Sequence, residues 1–317
     1  MKHSKTPHAA ATTRQPSNTI SHHAAPHTLT AGVLFLLASL SALGALSTNI
    51  ILPSFPRMSI DLGVSIQDLG ATLSSFFAAF ALGQLFVGPL SDRFGRRPLV
   101  LLGLMVFVLG SIVCAAATLP QLIVGRVIQA LGACATSVLS RAIARDMFVG
   151  HVLARTLSLV MVAMAAAPGF SPLLGGALDT LLGWRLNFVV VAALALIVSI
   201  TYVAKLGESH APDKRSPLSV SAVARGYVGL LLDKRFIVPA FSAGLIMASL
   251  YAFFALGSTI LMVNFQLSTL PLGLFFAATV FVVFAGGLLA SRLAKRWGAP
   301  RGCNRRNRHY LRTQPSC

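Results

Sequence analysis

Acidic residues are nearly missing from this sequence: eight Asp and Glu stand against 26 Lys and Arg in 317 positions. Charge of either sign is scarce. It makes up 11% of the residues, where a soluble globular domain carries about 25%, so an ordinary water-soluble fold is excluded. Cysteine is scarce as well. Four cysteines are too few for a disulfide scaffold. Cys114 and Cys134 lie within apolar runs and read as small hydrophobes, while Cys303 and Cys317 lie in a polar tail. With no Cys-x-x-Cys or Cys/His ligand spacing, no metal site is expected, and nothing in the chain requires a cofactor. Strand-period alternation is missing too, which removes a β-barrel. What is present instead is hydrophobicity, at 55% of residues. That level is far too high for disorder and points to lipid as the solvent. A formal charge of +18 is the usual footprint of a nucleic-acid binder. Long apolar runs leave no polar surface for that role, so no nucleic-acid partner is expected.

Eight apolar runs, at about 30–54, 67–90, 98–118, 120–141, 154–178, 185–204, 236–264 and 270–291, are each long enough for a membrane helix. Gly and Ala are dense within them, as close helix packing in lipid requires. The first run is too long for the apolar region of a signal peptide and reads as a retained helix. Before it, residues 1–29 are polar and include His3, His8, His22, His23 and His27. They read as a cytoplasmic tail, with metal binding by the histidines as the alternative.

Basic residues alternate between loops. Arg93, Arg96 and Arg97 lie at 91–97, and Arg141, Arg145 and Arg155 at 141–155. The long segment 205–235 holds Lys205, Lys214, Arg215, Arg225, Lys234 and Arg235, and Arg292, Lys295 and Arg296 follow residue 291. The intervening loops carry little beyond Arg57 and Arg185. By the positive-inside rule the N-terminus and the basic loops are cytoplasmic. Most of the +18 is then a topology signal whose partner is the lipid bilayer, in particular its anionic leaflet. The expected class is an all-α integral membrane protein. It divides into a tail (1–29), a six-helix amino-terminal bundle (30–206), a cytoplasmic linker (207–235), an incomplete carboxy-terminal bundle of about two helices (236–298) and a basic non-membrane tail (299–317).

Between the second and third runs stands Gly88-Pro89-Leu90-Ser91-Asp92-Arg93-Phe94-Gly95-Arg96-Arg97-Pro98. Glycines permit a tight turn and close helix approach, a carboxylate there can meet a helix N-terminus, and arginines pair with carboxylates or lipid phosphates. Three other stretches accompany it. Thr48-Asn49-Ile50-Ile51-Leu52-Pro53 closes the first run. Arg126-Val127-Ile128-Gln129 opens the fourth, and Ser140-Arg141 with Arg145-Asp146 closes it. The fifth holds Pro168, Pro172, Gly175 and Gly176, followed by Gly183-Trp184-Arg185. Together these resemble the major facilitator superfamily, through Gly88, Asp92, Arg93, Gly95, Arg96 and Arg97 as its signature loop. Within that superfamily they resemble the Bcr/CflA-type drug:proton antiporters, over about 30–301. The resemblance implies a bacterial inner-membrane protein with its N-terminus in the cytoplasm. It would export drugs or other small molecules by proton-coupled antiport with alternating access, and it would not be an enzyme.

Arg126 is costly in lipid. Snorkelling to the outer surface and facing a cavity are both open to it, and the resemblance favours a role in substrate or proton handling. Gln129, three residues on, is placed to share its face. Pro168 and Pro172 bend their helix, while Gly175 and Gly176 admit a close neighbour. In the resembled family this is the antiporter motif, although Ser171 precedes the second proline where glycine is common.

Two departures qualify the resemblance. Asn49 stands where the antiporters carry an acid in the first helix, and an amide does not exchange a proton near neutral pH. The carboxylates Asp61, Asp68, Asp92, Asp146, Asp179, Glu208, Asp213 and Asp233 all fall in loops or at helix ends, so proton coupling lacks an evident carrier. The second departure is at 286–298, where Gly286-Gly287 and Arg292 to Gly298 resemble the repeat of the signature loop in a second half. A ninth helix should follow. An arginine-rich stretch from Gly302 to Cys317 stands there instead. It reads as a frameshift near codon 302, with a short basic tail as the alternative. On that reading transport is impaired. The rival function is a non-transporting membrane remnant that associates with another transporter.

Overall fold

The computed structural model describes residues 30–116, 118–209, 220–265, 267, 271–279, 281, 282 and 285. Among the described residues the regular structure is helical and includes no strand. Helix α1 (Ala31–Asn49) is started by the Thr30 hydroxyl, which accepts from the Val33 amide at 3.4 Å. A 3-10 turn at Leu52–Ser54, with Pro53 inside it, leads into α2 (Phe55–Leu62). A capping box between Ser65 and Asp68 starts α3 (Ile66–Phe94), satisfying two otherwise orphan amides. Then come α4 (Arg96–Ala115), α5 (Leu119–Met147), α6 (Gly150–Leu182), α7 (Arg185–Lys205), α8 (Val220–Leu232) and α9 (Lys234–Val263). Helical residues continue at 271–279.

Seven helices among the described residues are long and apolar enough to cross a membrane: α1 continued through α2, then α3, α4, α5, α6, α7 and the first part of α9. They agree with seven of the eight apolar runs. The eighth run, at 270–291, falls partly outside the described residues. The proposed second signature repeat at 286–298, the tails at 1–29 and 299–317, and the frameshift reading lie wholly outside them.

The helices run further than the apolar runs do. α3 and α5 have 29 residues each and α6 has 33, about 45–50 Å at 1.5 Å per residue, against about 30 Å of hydrocarbon. A helix satisfies its own backbone in either solvent, so a polar residue at the membrane boundary does not end it. Two expected loops therefore shrink. The segment 91–97 reduces to Gly95, and 141–155 to the two residues between Met147 and Gly150. The expected linker at 207–235 also changes, because Val220–Leu232 is helical and runs nearly into α9. Gly226, Gly229 and Arg225 had broken its apolar pattern. Tyr227 holds α8 to α3 by donating to the Leu85 carbonyl at 2.7 Å.

The core is centred on α5, the most buried of the candidate spans, which packs against α1, α3 and α4. Approach at the α4–α5 seam is close enough to require glycine. A Cβ at Gly110 would stand 2.3 Å from the Gln129 backbone nitrogen. This seam sets the depth at which the polar residues of α5 meet their neighbours.

Candidate functional site

Arg126 lies two turns inside α5 and is fully buried. The snorkelling alternative is therefore not what the fold adopts. Its Nη1 donates to the Ser47 carbonyl in the last turn of α1 at 3.1 Å and to Gln129 Oε1 at 2.5 Å. Gln129 Nε2 donates to Ser111 Oγ on α4 at 2.7 Å, and Ser111 Oγ donates to the Phe107 carbonyl at 2.8 Å. From α3, the Phe76 ring covers the guanidinium at 4.3 Å. Four helices thus converge on one cation. Each charge-assisted bond contributes about 1.5–3 kcal/mol and a desolvated cation–π contact about 2 kcal/mol. These offset a desolvation cost of several kcal/mol per ion.

The cation is left partly unsatisfied. Its Nε and Nη2 have no hydrogen-bond partner, and no described carboxylate pairs with it. Two donors on a fixed, planar, permanently charged group can bind an oxygen acceptor. Asn49, placed in the same pathway by sequence, is buried but turns away. Its Nδ2 donates back to the Ala45 carbonyl at 2.7 Å and to Thr48 Oγ1 at 3.2 Å. The fold thus brings Arg126 and Gln129 together and puts Ser47, not Asn49, beside them. Ser47, Ser111 and Phe76 were not singled out from sequence, and no local motif marks them.

At the end of the bundle that carries the basic loops, Arg96 gathers the signature residues. Its Nη1 bonds Asp92 Oδ1 at 2.7 Å and also reaches Ser91 Oγ, while its Nε bonds Asp146 Oδ2 at 3.0 Å. Gly95, with φ 96°, makes the turn that aims Arg96 back at α3. A carboxylate does cap the start of α4, but it is not Asp92. Glu208, beyond α7, accepts from the Arg96 amide at 2.9 Å and the Arg97 amide at 3.2 Å. Asp146 comes from the stretch that closes the fourth run, whereas Glu208 belongs to none of the sequence motifs. Arg93 lies over the Phe94 ring at 5.2 Å. Gly88 faces open space among the described residues, so the close helix approach expected of it is not made there.

On α6, the buried Pro168, Pro172, Gly175 and Gly176 lie within a continuous helix that packs on α1. A Cβ at Gly175 would lie 1.8 Å from the Ile50 carbonyl oxygen, so only glycine fits. Ser171 Oγ donates to the Ala167 carbonyl, inside the stretch where the prolines remove backbone donors.

The opposite end of the bundle holds charges that the sequence placed in loops or at helix ends. Trp184 Nε1 donates to Asp61 Oδ2 at 2.9 Å, and the Arg185 guanidinium lies 4.2 Å from the Trp184 ring. Arg57 Nη1 donates to the Asp179 carbonyl at 2.7 Å.

The family model described as Major Facilitator Superfamily matches residues 37–305. Among curated proteins the chain is 35% identical over 222 residues to an uncharacterized MFS-type transporter of Bacillus subtilis, covering 69% of this chain and 55% of that one. It is 30% identical over 267 residues to a bicyclomycin resistance protein homolog of Haemophilus influenzae, covering 84% and 67%. A chloramphenicol resistance protein of Pseudomonas aeruginosa is 29% identical over 277 residues, covering 85% and 64%. Among solved structures, an inward-facing bacterial homolog of the human lysosomal transporter Spinster superposes with a TM-score of 0.64 at 19% identity, covering 83% of this chain and 63% of that one. The chain spans between about half and two thirds of the length of these relatives.

Proposed function

This chain belongs to the Major Facilitator Superfamily, and from that premise we propose that it exports drugs or other small molecules by proton-coupled antiport with alternating access. It is a multi-pass membrane protein of a transporter family. Its curated relatives include proteins named for resistance to bicyclomycin and chloramphenicol, which supports an antibiotic-like substrate. The observation that carries the reading is Arg126, buried where α1, α3, α4 and α5 meet, with two guanidinium donors left over. A carbonyl, hydroxyl or anionic oxygen on a substrate would satisfy them, and Phe76 would supply an aromatic face beside it.

In this reading the chain performs transport, not covalent chemistry, and needs no cofactor. It lies in the bacterial inner membrane with its N-terminus and basic loops in the cytoplasm. The Arg96 network is then a cytoplasmic latch. It fastens α3, α4, α5 and the residues after α7, and its bonds would exchange as the bundle rocks. Proton coupling draws support only from the resemblance, because Asn49 cannot carry a proton.

A second reading rests on α9, whose apolar window from Lys234 to Phe253 is not buried among the described residues. That face suits a chain that associates with another transporter without transporting by itself. Drug accumulation in a pump-deficient strain separates the two. The first reading expects cells expressing the chain to hold less chloramphenicol than control cells, with the difference abolished by a protonophore. Equal accumulation together with co-purification of a transporter would overturn it in favour of the second.

A further inference from the structure

We infer that Asp179 is a proton-binding carboxylate of this transporter, set at the end of the bundle opposite the basic loops, and that a proton on it favours the packed contact between α2 and α6, whereas its loss favours exposure of the carboxylate. The inference rests on the antiport reading above and supplies the carrier that Asn49 cannot be.

Asp179 stands one turn before the end of α6, and its side chain is only 6% exposed. Its Oδ1 is buried and accepts no hydrogen bond. Among the described residues, the charged groups that act on it are Arg57 and Asp61 on α2. Arg185 and the Trp184 ring are committed to Asp61, at 3.9 Å and 2.9 Å. On α5, Arg126 is turned to Ser47 and Gln129, and Arg141 to Met164 on α6. α1 and the 3-10 turn at Leu52–Ser54 bring no titratable side chain.

Among the described residues, Arg57 is the cation that approaches Asp179, and it divides its attention. It bonds the Asp179 backbone carbonyl at 2.7 Å and stays 3.9 Å from Oδ1. A cation at a helix C-terminus is favourable in itself, so Arg57 is held whether or not the carboxylate is charged. The charged carboxylate is thus buried with a distant cation and no donor, a costly arrangement. A proton delivered to Oδ1 removes that charge, and no other bond is made or broken. That relieves the desolvation cost, which outweighs the weak attraction across 3.9 Å, while Arg57 keeps its bond to the backbone carbonyl.

The position also links this site to the proline-containing stretch. Pro168, Pro172, Gly175 and Asp179 recur at intervals of three or four and so share one stripe of α6. Gly175 on that stripe sits against the Ile50 carbonyl, just before α2. A change in the α2–α6 contact is therefore applied to a helix whose backbone hydrogen bonding the prolines have already weakened. By linkage, the conformation that keeps these elements packed binds the proton more tightly, and one that parts them and wets the carboxylate releases it.

The test uses the purified full chain with Asp179→Asn and, as a second variant, Asp61→Asn. Acid-minus-neutral infrared difference spectra should show the carbonyl band of a protonated carboxylic acid in the parent chain and in Asp61→Asn. One component of that band should be lost in Asp179→Asn when that variant elutes as the same monodisperse species. Persistence of the whole band in Asp179→Asn overturns the inference. In proteoliposomes, an inside-acid gradient should drive chloramphenicol uptake by the parent and by Asp61→Asn, with Asp179→Asn losing the gradient stimulation. Gradient stimulation retained by Asp179→Asn overturns it as well. If the parent moves neither chloramphenicol nor bicyclomycin, the export reading fails, and the infrared band still decides whether Asp179 binds the proton.

Discussion

Arg126 and Gln129, one turn apart on α5, are joined by a hydrogen bond of 2.5 Å that fixes the guanidinium plane within a fully buried site. Gln129 is fixed in turn by Ser111 on α4. Replacing Gln129 by Leu should free Nη1 from one partner and leave Ser111 without its donor, costing about 1–3 kcal/mol. Export of chloramphenicol by Gln129→Leu should fall by roughly 5- to 150-fold by the same free energy, while Gln129→Glu should lose it by engaging the donors that a substrate needs. Dose–response curves for drug resistance check both. Full resistance in Gln129→Glu would count against free donors at Arg126 as the binding element.

Gly175 should tolerate no side chain. Because a Cβ there would sit 1.8 Å from the Ile50 carbonyl oxygen, Gly175→Ala must push α6 off α1. Overpacking of this kind costs about 1–3 kcal/mol, and here the obstacle is backbone that cannot rotate away. Thermal denaturation in detergent should show a lower Tm for Gly175→Ala. Gly88→Ala, whose Cβ would meet nothing among the described residues within 4 Å, should leave the Tm close to that of the parent.

The bonds of the Arg96 network are ranked by burial. Arg96 has a side chain 9% exposed and holds both Asp92 and Asp146, whereas the Asp92 side chain is 52% exposed. Removing Arg96 strands Asp146, whose side chain is 20% exposed, so Arg96→Ala should destabilise by about 3 kcal/mol, the lower end of a broken buried pair. Asp92→Asn should cost about 1 kcal/mol or less, as exposed pairs do. Glu208→Gln keeps a cap on α4 but loses its charge at the helix N-terminus, an effect of about 0.3–1 kcal/mol. Chemical denaturation in mixed micelles orders the three, and an Arg96→Ala effect below that of Asp92→Asn would contradict the latch.

Topology is testable by labelling. In a cysteine-free background, Ile60→Cys, at a position 82% exposed near the end of α2, should react with an impermeant maleimide added to whole cells. Ser209→Cys, beyond α7, should react only after the cells are opened. The reverse pattern would invert the proposed orientation.

Much of the fold was legible because lipid enforces a single rule: each crossing must be an apolar helix that satisfies its own backbone. The runs at 30–54 through 236–264 therefore mark real helices. Their ends were not legible, because Asp92, Arg93 and Asp146 are charged yet remain helical outside the hydrocarbon. α8 was missed because Gly226 and Gly229 interrupt its pattern, although Tyr227 anchors it to α3. In the site, Arg126 and Gln129 were readable from a three-residue spacing on one helix. Ser111, Phe76 and Ser47 come from other helices, and only packing at the glycine-lined α4–α5 seam and around α5 brings them in. Glu208 and Asp146 were visible as charges, but nothing local tied them to Arg96. Asp179 reads as an ordinary acid at a helix end, since its burial leaves no trace in its own neighbourhood of sequence.

The central claim is that a buried guanidinium with spare donors serves drug export, and it is tested most directly by chloramphenicol accumulation in a pump-deficient strain expressing the parent chain or Arg126→Ala at equal membrane abundance. Low accumulation is expected with the parent, and accumulation at the vector-control level with Arg126→Ala. Accumulation equally low in Arg126→Ala would contradict it.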